Sequence, residues 1–497
     1  MTMRLRMVPA VLLAAALAGG CTKAVTFPAE PVSAGAPGLP AGAVAYDTSG
    51  GGGADFALLA GPGGRADRIA YLRDGNAPPE IVNLDYLPLG HCRHLIVILD
   101  GFGYDVVKGF RDSGGLRLFH APSRVIAPYP TLTDPCIEDL LNYMPCPAFE
   151  AEYYDRVKGR HVGGDLAYLA GRNMPYNRLL NYRANTLLDA VMYLLPWDIY
   201  RHEIGSLKKT FDRRLTQQVL AYVVSSAGMG TKYGADGQRR CLRLLDRLIL
   251  QIVQETHGLT KVTLLADHGH SYTPARRIPL EDYLKSRGWR LTETLRGPRD
   301  VDYIRFGLET YASFATNSPG ELAADLVGCE GVELASCVGG DGNSVRVLAP
   351  GGASAVIARS GSGYCYRSEG DPLKLEGILA KLHPDANGFY GADELLAATY
   401  MHEYPAPLQR LWRAHFGLVD HPPDVIISLR NGWFSGSAGL AAMARIASTH
   451  GGLNRTNSTT FIMSTAGPLP PVLRSRDVPA AMTALTGAPW PGRRPEE

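Results

Sequence analysis

His94-Leu-Ile-Val-Ile-Leu99, followed at once by Asp100-Gly101, is the stretch on which the fold turns. Its unbroken apolar, β-branched character suits a strand buried on both faces, as in a parallel sheet covered by helices. Similar runs stand at 219–224, 262–265 and 425–429, with a weaker one at 461–463. Helical patterns lie between them, most clearly at 237–255, where Leu242, Leu245, Leu248, Ile249 and Val253 recur at helix spacing. Strands alternating with helices predict an α/β fold with a mostly parallel sheet and helices on both faces.

Outward from this core the texture changes. Short strands separated by Gly, Asn and Ser turns mark 291–366 as an inserted α+β subdomain, which leaves 91–290 and 367–490 for the main domain. The 497 residues suffice for two or three domains, or for one large α/β domain with insertions. Hydrophobic residues make up 45% and charged residues 20%, which excludes a mostly disordered chain. The net charge of +2 comes from Arg4 and Arg6, so the remainder is neutral. Without a broad basic field, nucleic acid is not expected as a partner.

The N-terminus reads as an address. Arg4 and Arg6 are followed by an apolar stretch at 8–18 that is too short to span a bilayer, then by small residues ending at Cys21. This order resembles a bacterial lipoprotein signal, although Ala18 stands where leucine is usual. The expectation is a signal peptide at 1–20 and lipidation of Cys21. Residues 21–90 would be a tether and an irregular segment, and the protein would sit on the periplasmic face of the outer membrane. Seven further cysteines include the close pairs Cys136/Cys146 and Cys329/Cys337, whose pairing stays open.

Ligands of open parallel sheets bind at the carboxyl ends of the strands. The first apolar run is followed by Asp100, the run at 262–265 by Asp267-His268-Gly269-His270, and 124–127 by Pro128-Tyr-Pro-Thr131-Leu-Thr133-Asp134-Pro135. Late in the chain stands Thr449-His450-Gly451-Gly452. Two carboxylates, a histidine and a hydroxyl could converge on one divalent cation. Each segment alone is ordinary turn chemistry; their order is not. No phosphate loop, zinc-protease helix or Gly-x-Ser-x-Gly elbow competes with them.

Over roughly 93–470 these segments resemble the alkaline phosphatase superfamily, most closely its nucleotide pyrophosphatase/phosphodiesterase-like branch. The resemblance implies that Asp100, Asp267 and His268 ligate a metal, that Thr133 is both ligand and nucleophile, and that His450 is the remaining ligand. It also marks two departures. The family's Asp-x-x-x-His before a Tyr-Gly aligns here with Ala227 and Thr231 ahead of Tyr233-Gly234, and the asparagine after the nucleophile's proline is Cys136. The second metal site would keep only His450. Asp198 and His202 have the right spacing but precede the wrong strand.

The expected activity is therefore hydrolysis of a small-molecule phosphate ester through a threonine nucleophile and one divalent metal, zinc. A basic side chain would replace the second metal, with Lys232 first, then Lys208, Lys209 and Arg240. A sulfatase-like ester hydrolase is one alternative. The other is a degenerate member that binds or assembles at the envelope without turnover, a reading that Ala227, Thr231 and Cys136 favour.

Overall fold

Six strands make the central sheet: Arg93–Leu99 (β1), Ser123–Ile126 (β2), Gln218–Val223 (β3), Thr260–Ala266 (β4), Thr459–Ser464 (β5) and Val472–Arg474 (β6). They come from a computed structural model that describes residues 31–32, 39–40, 42–48, 53–72, 78–164, 174–185, 188, 192–305, 307–436 and 446–492. The order across the sheet is β3-β1-β4-β5-β2-β6. Only β5 runs against its neighbours, pairing antiparallel with β4 and β2, so the expected mostly parallel α/β sheet is present.

Alternation along β1 explains its unbroken apolar run. Ile96 and Ile98 enter one core, while Leu95, Val97 and Leu99 enter the other, and all five are fully buried. Each such side chain stabilises the fold by roughly 1.5–3 kcal/mol. Tyr104–Asp112 (α1) and most of Pro196–Arg213 (α3) and Ser225–Glu255 (α4) cover the Leu95 face. Thr133–Leu141 (α2) and Val478–Thr486 (α5) cover the other.

Two segments depart from the sequence reading. Val425–Leu429 is not part of the central sheet. It lies between Tyr311–Thr316 and Val332–Val338, antiparallel to both, in a second sheet of nine strands. A run buried on both faces does not reveal which sheet buries it. The strands expected within 291–366 are thereby joined through one from much later in the chain. The N-terminal segment is also more regular than the irregular stretch expected at 21–90: strands Pro31–Val32, Val44–Tyr46, Phe56–Ala60, Ala66–Tyr71 and Glu80–Asn83 form a five-stranded antiparallel sheet. The glycines at 61–64 form a hairpin connection, with Gly63 and Gly64 at φ 78° and 79°. Tyr46, Phe56, Leu58 and Ile69 of this sheet pack into the Leu95 core, and the Tyr71 hydroxyl donates to the Gln254 carbonyl at 3.1 Å.

The leader and Cys21 lie outside the described residues. Among those described, no helix is long and apolar enough to cross a membrane. Cys92, Cys136, Cys146, Cys241, Cys329, Cys337 and Cys365 are all buried free thiols, so neither close pair is bonded.

Candidate functional site

Parallel register brings the first three predicted residues together. Ala266 of β4 lies opposite Leu99 of β1, so Asp267 and Asp100 leave the sheet side by side. The ligand atoms of Asp100, Asp267 and His268 all lie within 4.8 Å of one another, and all three residues are buried. Asp267 Oδ1 accepts the Gly101 and His268 backbone N–H groups, each at 2.8 Å. Asp100 Oδ2 accepts the Tyr222 hydroxyl at 2.5 Å. The opposite oxygens, Asp100 Oδ1 and Asp267 Oδ2, are buried without partners. They face His268 Nε2 at 3.7 and 3.6 Å.

Tautomer chemistry completes the set. His268 Nδ1 lies 3.0 Å from the Gly269 carbonyl oxygen, which can only accept. The ring proton therefore sits on Nδ1, and the Nε2 lone pair faces the two carboxylates. Burial, then the charge of Asp267, pushes the Asp100 carboxyl well above its usual range. Burial raises Asp267 to about 7 against three opposing backbone hydrogen bonds. Burial also drives His268 well below the usual imidazole value, with His450 adding to the effect. Three buried lone-pair sites facing one another are strongly unfavourable unless a cation lies between them. Two carboxylate oxygens and an imidazole nitrogen fit a divalent metal of the zinc type. Gly101, at φ +66°, keeps this corner open, since a Cβ there would lie 2.7 Å from His270 Nε2.

The two threonines of the Pro128–Pro135 segment have different roles. Thr131 is fully buried; its Oγ1 donates to the Gly452 carbonyl at 3.3 Å and accepts the Gly451 N–H at 2.9 Å. Thr133 is half-buried at the first position of α2, with Oγ1 3.5 Å from His268 Nε2. Only Thr133 of the pair presents its hydroxyl to the triad. Arg410, absent from the sequence reading, ties the segment down by donating to the Pro128, Pro405 and Leu453 carbonyls at 3.3, 3.1 and 3.0 Å. Cys136 is fully buried within α2, and burial pushes its thiol far up, so it is no substitute for a phosphate-binding amide.

The other side of the cleft differs from expectation. The stretch at 227–234 is not a loop, because α4 already begins at Ser225. Glu203 caps that start by accepting the Ser225 N–H at 2.8 Å and the Ser225 hydroxyl. Ala227 and Thr231 lie one turn apart and are both buried. Lys232, expected as the replacement cation, instead donates to the Leu194 carbonyl at 2.9 Å and lies over the Tyr233 ring. Lys208 pairs with Asp212 and Glu255, and Arg240 stacks on Trp197. None of their described contacts reaches the triad. His202 meets Ser206 within α3, and Asp198 is exposed there.

His450 does reach the triad. Its ring stacks on His268 with centroids 4.0 Å apart. Its Nδ1 lies 3.0 Å from the Thr131 carbonyl and 3.3 Å from Glu309 Oε2. Glu309 is buried, and burial raises its carboxyl against the opposing charge of His450. Gly451, at φ +116°, permits the approach: a Cβ there would lie 3.3 Å from Glu309 Cβ and 3.0 Å from Tyr311 Cβ. His270 is fully buried with Nδ1 2.9 Å from Ser448 Oγ and Nε2 unpartnered. Tyr222 and Glu309 carry no local motif and were invisible in sequence. His270 stood in the quoted strand-end segment.

No family model and no curated protein matches the chain. Solved structures do. The chain is similar to human ectonucleotide pyrophosphatase/phosphodiesterase 5, with a TM-score of 0.43 and 12% identity over 80% of this chain and 95% of that one. The murine counterpart gives 0.43 and 10%, over 80% and 96%. An inactive variant of the murine protein in complex with AMP gives 0.44 and 10%, over 80% and 96%.

Proposed function

We propose that the chain is a metal-dependent phosphoric ester hydrolase of the alkaline phosphatase-like kind, with one divalent metal and Thr133 as nucleophile. The observation that carries this reading is the pair of buried, partnerless carboxylate oxygens aimed with His268 Nε2 at a common point, with the Thr133 hydroxyl beside it. A divalent cation held by Asp100, Asp267 and His268, zinc by the donor set, would lower the pKa of the Thr133 hydroxyl and polarise the phosphoryl group. Thr133 Oγ1 would then give up its proton and bond to phosphorus while the ester oxygen leaves and takes up a proton. Water would cleave the phosphothreonine, freeing phosphate and restoring the hydroxyl. Tyr222 and the Gly101 and His268 N–H groups hold the carboxylates in place, and Thr131 and Arg410 fix the nucleophile segment. The substrate class is a small-molecule phosphate ester.

The burial of Ala227 and Thr231 and the engagement of Lys232 elsewhere favour a second reading, a ligand-binding member without turnover. Zinc-reconstituted protein, assayed on chromogenic phosphomonoester, phosphodiester and sulfate esters, separates the two. Turnover of a phosphate ester supports the hydrolase. Preference for the sulfate ester gives the sulfatase-like activity, and binding of metal without turnover of any ester leaves the non-catalytic reading. The order of basic, apolar and small residues before Cys21 supports an envelope lipoprotein; Cys21→Ser should release soluble protein, and a wild type that is already soluble would sink that part.

A further inference from the structure

A cavity of about 160 Å³ opens between the start of α1 and residues 455–459, and none of Asp100, Thr133, Asp267 or His268 lines it. Arg124, Arg239 and Arg455 line its wall together with one acidic residue, Asp105. Arg124 projects from β2, between core positions, and lies over the Tyr104 ring at 4.1 Å from the centroid. Stacking fixes the plane of a guanidinium and leaves its N–H edge free to meet an oxyanion. Among the described contacts, Arg124 and Arg455 have no carboxylate partner. Arg455 makes only a long 3.4 Å contact to the Met401 carbonyl, while Arg239 pairs with Asp236 at 2.6 Å.

The same wall holds an unsatisfied hydroxyl. Thr459, at the first position of β5, is 8% exposed and lines the same cavity, and its Oγ1 has no hydrogen-bond partner. A buried hydroxyl is normally satisfied. The nearby Gly103 N–H is already taken by the Tyr272 hydroxyl at 2.8 Å, so the helix terminus is not what remains open.

We propose that this cavity binds a phosphate group, with Arg124 and Arg455 pairing its oxygens. The remainder of the ligand extends past Arg455 into an adjoining cavity of about 470 Å³, to which Asn431, Asn454, Glu333 and Glu403 contribute. Asn431 and Asn454 are bonded to each other and to Thr456 and Asn457, whereas the carboxylates of Glu333 and Glu403 keep acceptor positions beyond those used by Ser428 and Lys374. Carboxylates suit hydroxyl groups, so the ligand class is a phosphorylated, hydroxyl-bearing small molecule.

The test uses full-length protein carrying Asp267→Asn, which disables the triad and so separates this site from the proposed catalytic one. Equilibrium dialysis with inorganic phosphate, and with glycerol phosphate as the hydroxyl-bearing probe, should show saturable binding of one equivalent, tighter for glycerol phosphate. Arg124→Ala and Arg455→Glu should each weaken it at least tenfold, with Arg124→Lys falling between. Arg455 is exposed, so its variant tests the site even if Arg124→Ala fails to fold. Absence of saturable phosphate binding in the Asp267→Asn background, or binding unchanged by Arg455→Glu, would overturn the proposal.

Discussion

The two sides of the strand-end cleft use the same kinds of residue and treat them differently. On the Asp100 side, each candidate ligand has one atom engaged by the protein and one facing the other two. Backbone N–H groups, Tyr222 and the Gly269 carbonyl take Asp267 Oδ1, Asp100 Oδ2 and His268 Nδ1, and the remaining atoms face one another. On the His450 side, Nδ1 meets the Thr131 carbonyl and Glu309, and Ala227 and Thr231 of α4, the positions that the resemblance aligns with ligands, are a methyl and a buried threonine. Bare atoms also occur on the His450 side, at Glu309 Oε2 and His270 Nε2. Among the described residues, however, only Asp100, Asp267 and His268 bring three ligand atoms within 4.8 Å of one another, and that convergence marks the candidate metal centre. Counting histidines and carboxylates would not separate the two sides.

The sharpest break would come from Thr133, the proposed nucleophile. Thr133→Ala should lower kcat/KM for a phosphate ester by about a thousandfold or more, while Thr131→Ser, which keeps the scaffold hydroxyl, should retain most activity. Equal losses in both would erase the distinction between the threonines. Metal content comes next. Elemental analysis after dialysis should give one divalent equivalent per chain, and none in Asp267→Asn; two equivalents in wild type would mean that the His450 side is also a centre. Ala227→Asp with Thr231→His should add a second equivalent and, because both positions are buried, should fold best with metal present.

pH sharpens the comparison further. The Asp267 carboxyl is raised in the folded chain to about 7, so the metal-free fold binds a proton there that the unfolded chain has already lost. Its contribution is complete below the usual carboxylate value and disappears as pH rises towards 7. Chelated protein should therefore lose denaturation midpoint over that window, while metal-loaded protein holds it. Parallel curves would mean that no cation neutralises the carboxylates. The smallest effect belongs to Glu309→Gln. It keeps the shape beside His450 and removes the charge, so it should lower activity about tenfold with metal content unchanged. Loss of the metal in that variant would make His450 and Glu309 part of the centre.

What was legible in the sequence was local. Asp100, Asp267 and His268 each follow directly on a buried run, so finding the strand finds the residue. Tyr222 depends on cross-strand register, opposite Ile98, and Glu309 on a contact between elements far apart in the chain. The sequence puts Lys232 at the cleft because Tyr233-Gly234 reads as the end of a loop. Gly234, at φ 61°, interrupts what is otherwise one long helical stretch from Ser225 to Glu255. Val425–Leu429 reads as a strand of the central sheet because burial on both faces is common to both sheets.

That strand has a consequence for how the chain is made. Tyr311–Thr316 and Val332–Val338 flank a slot that only Val425–Leu429 fills, so the second sheet stays split until nearly a hundred further residues have left the ribosome. The late strand also carries Ser428, whose Oγ accepts the Leu453 N–H at 3.0 Å, and Thr310 beside it donates to the His450 carbonyl at 2.5 Å. Closing the sheet and setting the His450 loop are therefore one event in folding, of the long-range kind that is slow. Residues 291–366 cannot be cut out or exchanged as a cassette: their removal would strip both hydrogen-bonding edges from Val425–Leu429 and leave the loop that carries His450 without its support.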